Sequence, residues 1–99
     1  MLHIVNRSPG ERSTLYSCLR LAQPGHSLLL IEDAVYAATA GNAAADAIRA
    51  ATRTLKVYAL APDLEARGMK GAAIEGVALI DYRGFVDLVA GCPAVQSWL

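Results

Sequence analysis

Short apolar runs alternate with helical patterns along the whole chain, and this alternation limits the folds open to it. LHIV (2–5), SLLLI (27–31), LKVYAL (55–60) and VALI (77–80) read as strands. Helical patterns fill the intervals at residues 9–22, 34–40, 43–52 and 62–67, and a last one follows through about residue 90. Residues 28–31 and 77–80 are apolar without a break, as in strands covered on both faces. Strands separated by helices imply parallel pairing through right-handed crossovers. The expected architecture is an α/β domain over residues 1–99. It has one layer of four or five mainly parallel strands with helices on both faces. Residues 95–99 form either a short last strand or a tail.

Local signals set the boundaries. After the first strand, NRSPG turns the chain over. Ser8 suits an N-cap, Pro9 the first helical position, and Glu11 the carboxylate of a capping box. Leu15, Cys18, Leu19 and Ala22 then share one helix face. Gln23-Pro24-Gly25 stops that helix, and Gly41-Asn42 breaks the second, with Asn42 free to cap the next. Gly68 closes the short helix at 62–67. A glycine- and alanine-containing loop covers 69–76. Asp81 caps the last helix, and Gly91 with Pro93 ends it.

Composition bounds the function. The chain has 99 residues, of which 55% are apolar and 18% charged. Typical domains have about 45–50% and about 25%. A chain this short has a limited core. The apolar excess therefore predicts burial against another subunit. Nine basic and nine acidic residues give zero formal charge. That lacks the basic footprint of a nucleic-acid binder and any long-range attraction to membranes. No apolar run approaches the roughly 20 residues of a spanning helix. The N-terminus, MLHIVNRSPGE, does not resemble a secretory signal. Two widely spaced cysteines then predict free thiols in a reducing compartment.

Few residues offer chemistry. Ligands of open α/β sheets bind beyond the carboxyl ends of the strands. Those ends supply Asn6, Arg7, Ser8, Glu32, Asp33, Asp63, Asp81 and Tyr82. Arg7, beside a helix N-terminus, is a candidate anion ligand, although the acidic balance of this rim disfavours phosphate. Ser8, Asp33 and Asp81 stand where caps are wanted, and capping is their expected role. There is no GxGxxG, no GxxxxGK[ST] and no GxSxG. His3 and His26, far apart in sequence, form no standard zinc spacing with the two cysteines and read as ordinary histidines. No cofactor is expected. Cys18 falls on an apolar helix face, where cysteine is often a small core residue. A reactive thiol wants a cation or a helix N-terminus; Arg20 is near in sequence but points elsewhere on the helix, and Cys18 lies too deep for strong help from the dipole. Cys92, past a helix end, is expected to be exposed or half-exposed.

Taken in order, LHIVNRSP with the following ERS-L-SCL, LLLIEDAVYAA with Gly41, LKVYAL-PDLEARG, ALIDYRGFVDLV and the VQSWL ending resemble the DsrH/TusB family of small sulfur-relay subunits. The match runs over nearly the whole chain. The resemblance implies a DsrE-like α/β fold and a cytoplasmic hetero-oligomer with two homologous sister subunits (DsrE/DsrF- or TusD/TusC-like), typically a dimer of heterotrimers. Such an assembly moves persulfide sulfur between cysteines and hands it to a cysteine-bearing carrier protein. It serves either 2-thiolation of the transfer-RNA wobble uridine or sulfur oxidation, with no direct nucleic-acid or membrane contact by this subunit. The principal persulfide cysteine of the family lies in a mid-chain loop of a sister subunit. Here the loops at 61–63 and 69–76 hold no cysteine. Cys18 matches a first-helix cysteine of the sulfur-oxidation branch that the transfer-RNA branch can lack. The resemblance therefore makes Cys18 the candidate catalytic thiol and tips the process towards sulfur oxidation. The alternative is a purely structural or docking subunit.

Overall fold

The computed structural model describes residues 1–8, 14–69 and 71–98. Five strands form one sheet: β1 (Leu2–Val5), β2 (Ser27–Leu30), β3 (Lys56–Leu60), β4 (Ala78–Ile80) and β5 (Val95–Trp98). Their order is β4-β3-β2-β1-β5, and every neighbouring pair is parallel. The register sets Leu2 beside both Ser27 and Val95, and Leu28 beside Val57. The expected parallel α/β layer is present, and residues 95–98 are a strand.

Chain order explains the layers. From β1 to β4 the chain moves steadily across the sheet. Right-handed crossovers therefore put α1 (Thr14–Leu21), a 3-10 helix (Glu32–Ala38), α2 (Ala45–Ala51) and α3 (Ala61–Ala66) on one face. The last crossover returns from β4 to β5, which puts α4 (Tyr82–Gly91) on the other face. Two apolar clusters match this division. Val5, Leu28, Leu30, Val57 and Ala59 meet Leu15, Cys18, Ile48 and Leu64 on the first face. Leu2, Ile4 and Leu29 meet Phe85, Leu88 and Val89 of α4 on the second. Alternate residues of each strand go to opposite clusters, as the pleat requires.

The apolar run at 27–30 is buried throughout, as a strand covered on both faces should be. The run at 77–80 is not. Ala78 and Leu79 are exposed, Leu79 by 42%. β4 is an edge strand, so its apolar side chains lack neighbours on one flank. Leu79→Ala is accordingly expected to change the stability of the isolated chain by no more than about 0.5 kcal/mol in urea denaturation.

Some caps follow expectation. The Asp81 carboxylate accepts from the Gly84 amide at 2.8 Å at the start of α4. Asp81→Ala is expected to lower stability by about 0.5–2 kcal/mol, read from thermal or urea unfolding. Asn42 does not cap α2, whose N-cap position is Ala44 with no side-chain cap bond; its Oδ1 accepts from the Ala44 amide at 2.7 Å and its amide donates to the Tyr36 and Thr39 carbonyls, which ties the turn between the two helices to both sides. Gly41, at φ 90°, supplies the left-handed turn there. Gly68, at φ 69°, ends α3, and the Met69 amide returns to the Leu64 carbonyl.

Asp33 is not a cap. Ile31 occupies the N-cap position of the 3-10 helix and makes no side-chain cap bond. The chain enters that helix through Glu32 at φ 50°, so Asp33 already lies in the first turn. Its carboxylate swings out to Arg67 instead, at 3.0 Å from Nε and 2.9 Å from a terminal guanidinium nitrogen. The expected helix start at Pro9, Gly10 and Glu11 lies outside the described residues.

Candidate functional site

The carboxyl ends of β2 and β3 bring three of the expected rim residues together. Asp63, in the first turn of α3, accepts from the Glu32 amide at 2.6 Å. Arg67 donates to the Asp63 carbonyl at 3.1 Å and grips Asp33. Asp33 and Asp63 are thus committed to protein partners, and the group braces the strained Glu32 backbone. Asp63→Ala should leave the Glu32 amide without its carboxylate and lower stability by about 1 kcal/mol, measured by urea denaturation. Arg7 is exposed beyond β1, and Asp81 and Tyr82 sit apart after β4. The rim holds no thiol.

Cys18 lies at the centre of α1 with no exposed surface, in the first cluster with Leu15, Val5 and Leu28. Burial alone pushes its thiol up to about 11 from an ordinary 9.0. Among the described residues no cation opposes that desolvation, so the sulfur is a protonated core atom in this conformation. Cys92 is half-buried at the end of α4, packed against the second cluster on the opposite face. Both cysteines are free.

The histidines are closer than their sequence separation implies. β1 and β2 are adjacent, so His3 Nε2 comes within 3.1 Å of His26 Nδ1. Trp98 of β5 donates from Nε1 to His3 Nδ1, also at 3.1 Å. The His26 Nδ1 atom additionally accepts from the Gln23 amide at 3.2 Å. Sequence reading missed this group because its members belong to three segments joined only by strand order. The signal was present in retrospect: His3 and Val5 lie two residues apart on one face of β1, and the register sets Trp98 beside Val5, so pairing β1 with β5 puts His3 and Trp98 on one side. Burial lowers the His3 pKa, with His26 and then the N-terminal ammonium adding to the shift.

Among the described residues, no three His, Cys, Asp or Glu side chains lie together to hold a metal. No helix among them is long and apolar enough to cross a membrane. An open groove of about 400 Å³ runs between α1 and α2, lined by Tyr16, Leu19, Arg20, Ala47 and Ala50. It carries no nucleophile or acid–base pair.

The family model for DsrH-like proteins matches residues 7–95. The protein TusB of Escherichia coli K12 is 42% identical over 98 residues, which cover 99% of this chain and all of the relative. TusB of Shigella flexneri is 40% identical over the same coverage. The crystal structure of the ychN protein of Escherichia coli superposes with a TM-score of 0.85 over 97% of each chain, at 21% identity, a likeness of fold. The motif order, the parallel sheet and these matches agree, and the chain belongs to the DsrH/TusB family of small sulfur-relay subunits.

Proposed function

We propose that this chain is a non-principal subunit of a cytoplasmic, hetero-oligomeric sulfurtransferase that relays persulfide sulfur. Two homologous sister subunits accompany it, in a dimer of heterotrimers, and a cysteine-bearing carrier protein takes the sulfur onward. The observation that carries this reading is the state of the Cys18 thiol: fully buried and held protonated, with its pKa raised to about 11. Persulfide transfer needs a thiolate that can reach a partner's sulfur. The principal sulfur-carrying cysteine is therefore assigned to a sister subunit, and this chain to support and docking. Unburied apolar side chains on β4 and α4, among them Leu79, Tyr82 and Val86, suit a subunit that associates.

A second reading keeps Cys18 as a sulfur acceptor. It is favoured by the match of Cys18 to the first-helix cysteine of the sulfur-oxidation branch, and it requires α1 to open. The relatives named TusB favour transfer-RNA thiolation as the process. Two experiments separate these alternatives. The assembled complex is loaded with persulfide and digested for mass spectrometry. Label on a sister subunit with Cys18 unlabelled supports the first reading, and label on Cys18 overturns it. Loss of transfer-RNA 2-thiouridine in a strain lacking this gene supports thiolation. Unchanged 2-thiouridine with impaired sulfur oxidation supports the other process.

A further inference from the structure

Two groups that can only donate bracket the histidine pair. At one end is the Trp98 indole N–H, at the other the Gln23 backbone N–H. An indole donor forces His3 Nδ1 to be the acceptor, so a neutral His3 carries its proton on Nε2. That proton points at His26 Nδ1, whose single lone pair His3 shares with the Gln23 amide. The chain Trp98 to His3 to His26 therefore has one proton arrangement, with both rings neutral. His3 is only 3% exposed, so its hydrogen bonds have little water to replace them.

The group also occupies a mechanically telling position. β5 ends the sheet and is paired on one side only, to β1. Its first three residues are exposed. Trp98 is its inward anchor, packed on the first cluster and bonded to His3. We propose that the Trp98–His3–His26 chain is an acid-sensitive clamp holding β5 on the sheet edge, and that protonation of His3 releases β5 while β1 to β4 stay paired. A proton taken from solvent onto His3 Nδ1 sets one donor against another, because the Trp98 indole has no lone pair to accept with. The groups acting on His3 push the same way. Burial is foremost, His26 follows from the β2 side, and the N-terminal ammonium of Met1 stands just before β1. From α1, Tyr16 and Leu19 pack toward this face and are uncharged as phenol and alkyl groups. Since His3 is shifted down, the clamp is intact above the ordinary histidine value of 6.5 and is lost as the pH falls from there through the lower folded value.

The test is amide hydrogen exchange followed by mass spectrometry from pH 5 to pH 8. It uses the full chain purified with the subunits it assembles with, after correction for intrinsic exchange rates. Peptides covering 95–98 should lose protection on acidification, by up to about tenfold per pH unit between the ordinary histidine value of 6.5 and the lower folded value, and level off below it. Peptides from β2 and β3 should keep theirs. Trp98→Phe retains a ring without the donor. It should lower β5 protection at pH 8 and flatten the acid response. His3→Gln, which does not titrate, should also flatten it. Nitrogen-15 spectra of histidine-labelled native protein should find His3 as the Nε2–H tautomer, a readout that needs no variant. β5 protection independent of pH, an acid response unchanged in Trp98→Phe, simultaneous opening of β2 and β3, or the Nδ1–H tautomer would each overturn the clamp.

Discussion

Leu28→Ala is expected to remove about 2–5 kcal/mol of stability, the range for truncating a fully buried leucine. Leu28 sits in β2, the middle strand of five, with no exposed surface. Its side chain enters the cluster closed by α1, α2 and α3. β2 packs against both flanking strands and the 3-10 helix, so the site has little freedom to collapse around the cavity. Domains of this size keep only about 5–15 kcal/mol in total, and the variant should populate unfolded chain well below ordinary denaturant concentrations. Urea denaturation followed by far-ultraviolet circular dichroism measures the loss. A companion variant, Leu29→Ala, points to the second cluster, which α4 alone covers among the described helices and where no α4 residue is fully buried. It should lose less than Leu28→Ala. Equal losses would show the two faces to be equally packed, contrary to the burial of their helices.

The contrast between these faces marks how far the sequence could be followed. Period and punctuation located four strands to within a residue or so, while 95–99 stayed open between strand and tail: LHIV became β1 without change, and the run at 27–31 became β2. Asp81 proved a cap because a β-strand led straight into an α-helix with standard geometry. Asp33 looked the same in sequence and was not. The difference is the left-handed Glu32, a tertiary choice braced by Asp63 from 31 residues away, which no local pattern encodes. The apolar run at 77–80 misled for a similar reason. Hydrophobicity says that a strand wants cover on both faces, but only strand order tells that β4 has a single neighbour. The His3–His26–Trp98 group depends on that same order and on the β1–β5 pairing. The burial of Cys18 was legible from its spacing with Leu15, Leu19 and Ala22. Its chemical use was not, since a core cysteine and a gated one share that spacing.

Cys18 in the native assembly should resist alkylation at pH 7.5 at least about 100-fold more strongly than a cysteine of ordinary pKa. The thiolate is the nucleophile. A shift from 9.0 to about 11 leaves about a hundredth as many thiolates. Complete burial slows the reagent further, so modification waits for α1 to open. Iodoacetamide labelling with peptide mass spectrometry reads both sites at once, with the half-buried Cys92 as the internal comparison. The same burial sets a pH dependence. The unfolded thiol ionises near 9.0 and the folded one near 11, so stability is whole below that interval and falls as the pH rises through it. Cys18→Ser should lower stability by about 1–2 kcal/mol, because it places a hydroxyl in an apolar cluster. Part of the loss is recovered if the hydroxyl bonds back to its own helix. Cys92→Ser, half-exposed, should change it by no more than about 0.5 kcal/mol. Sulfur transfer by the assembled complex should survive both substitutions, as it must if the reactive thiol belongs to a sister subunit. If Cys18 instead alkylates as fast as Cys92, and its serine variant slows transfer while melting like the parent, then α1 opens in the working complex. Cys18 would then be a station in the relay.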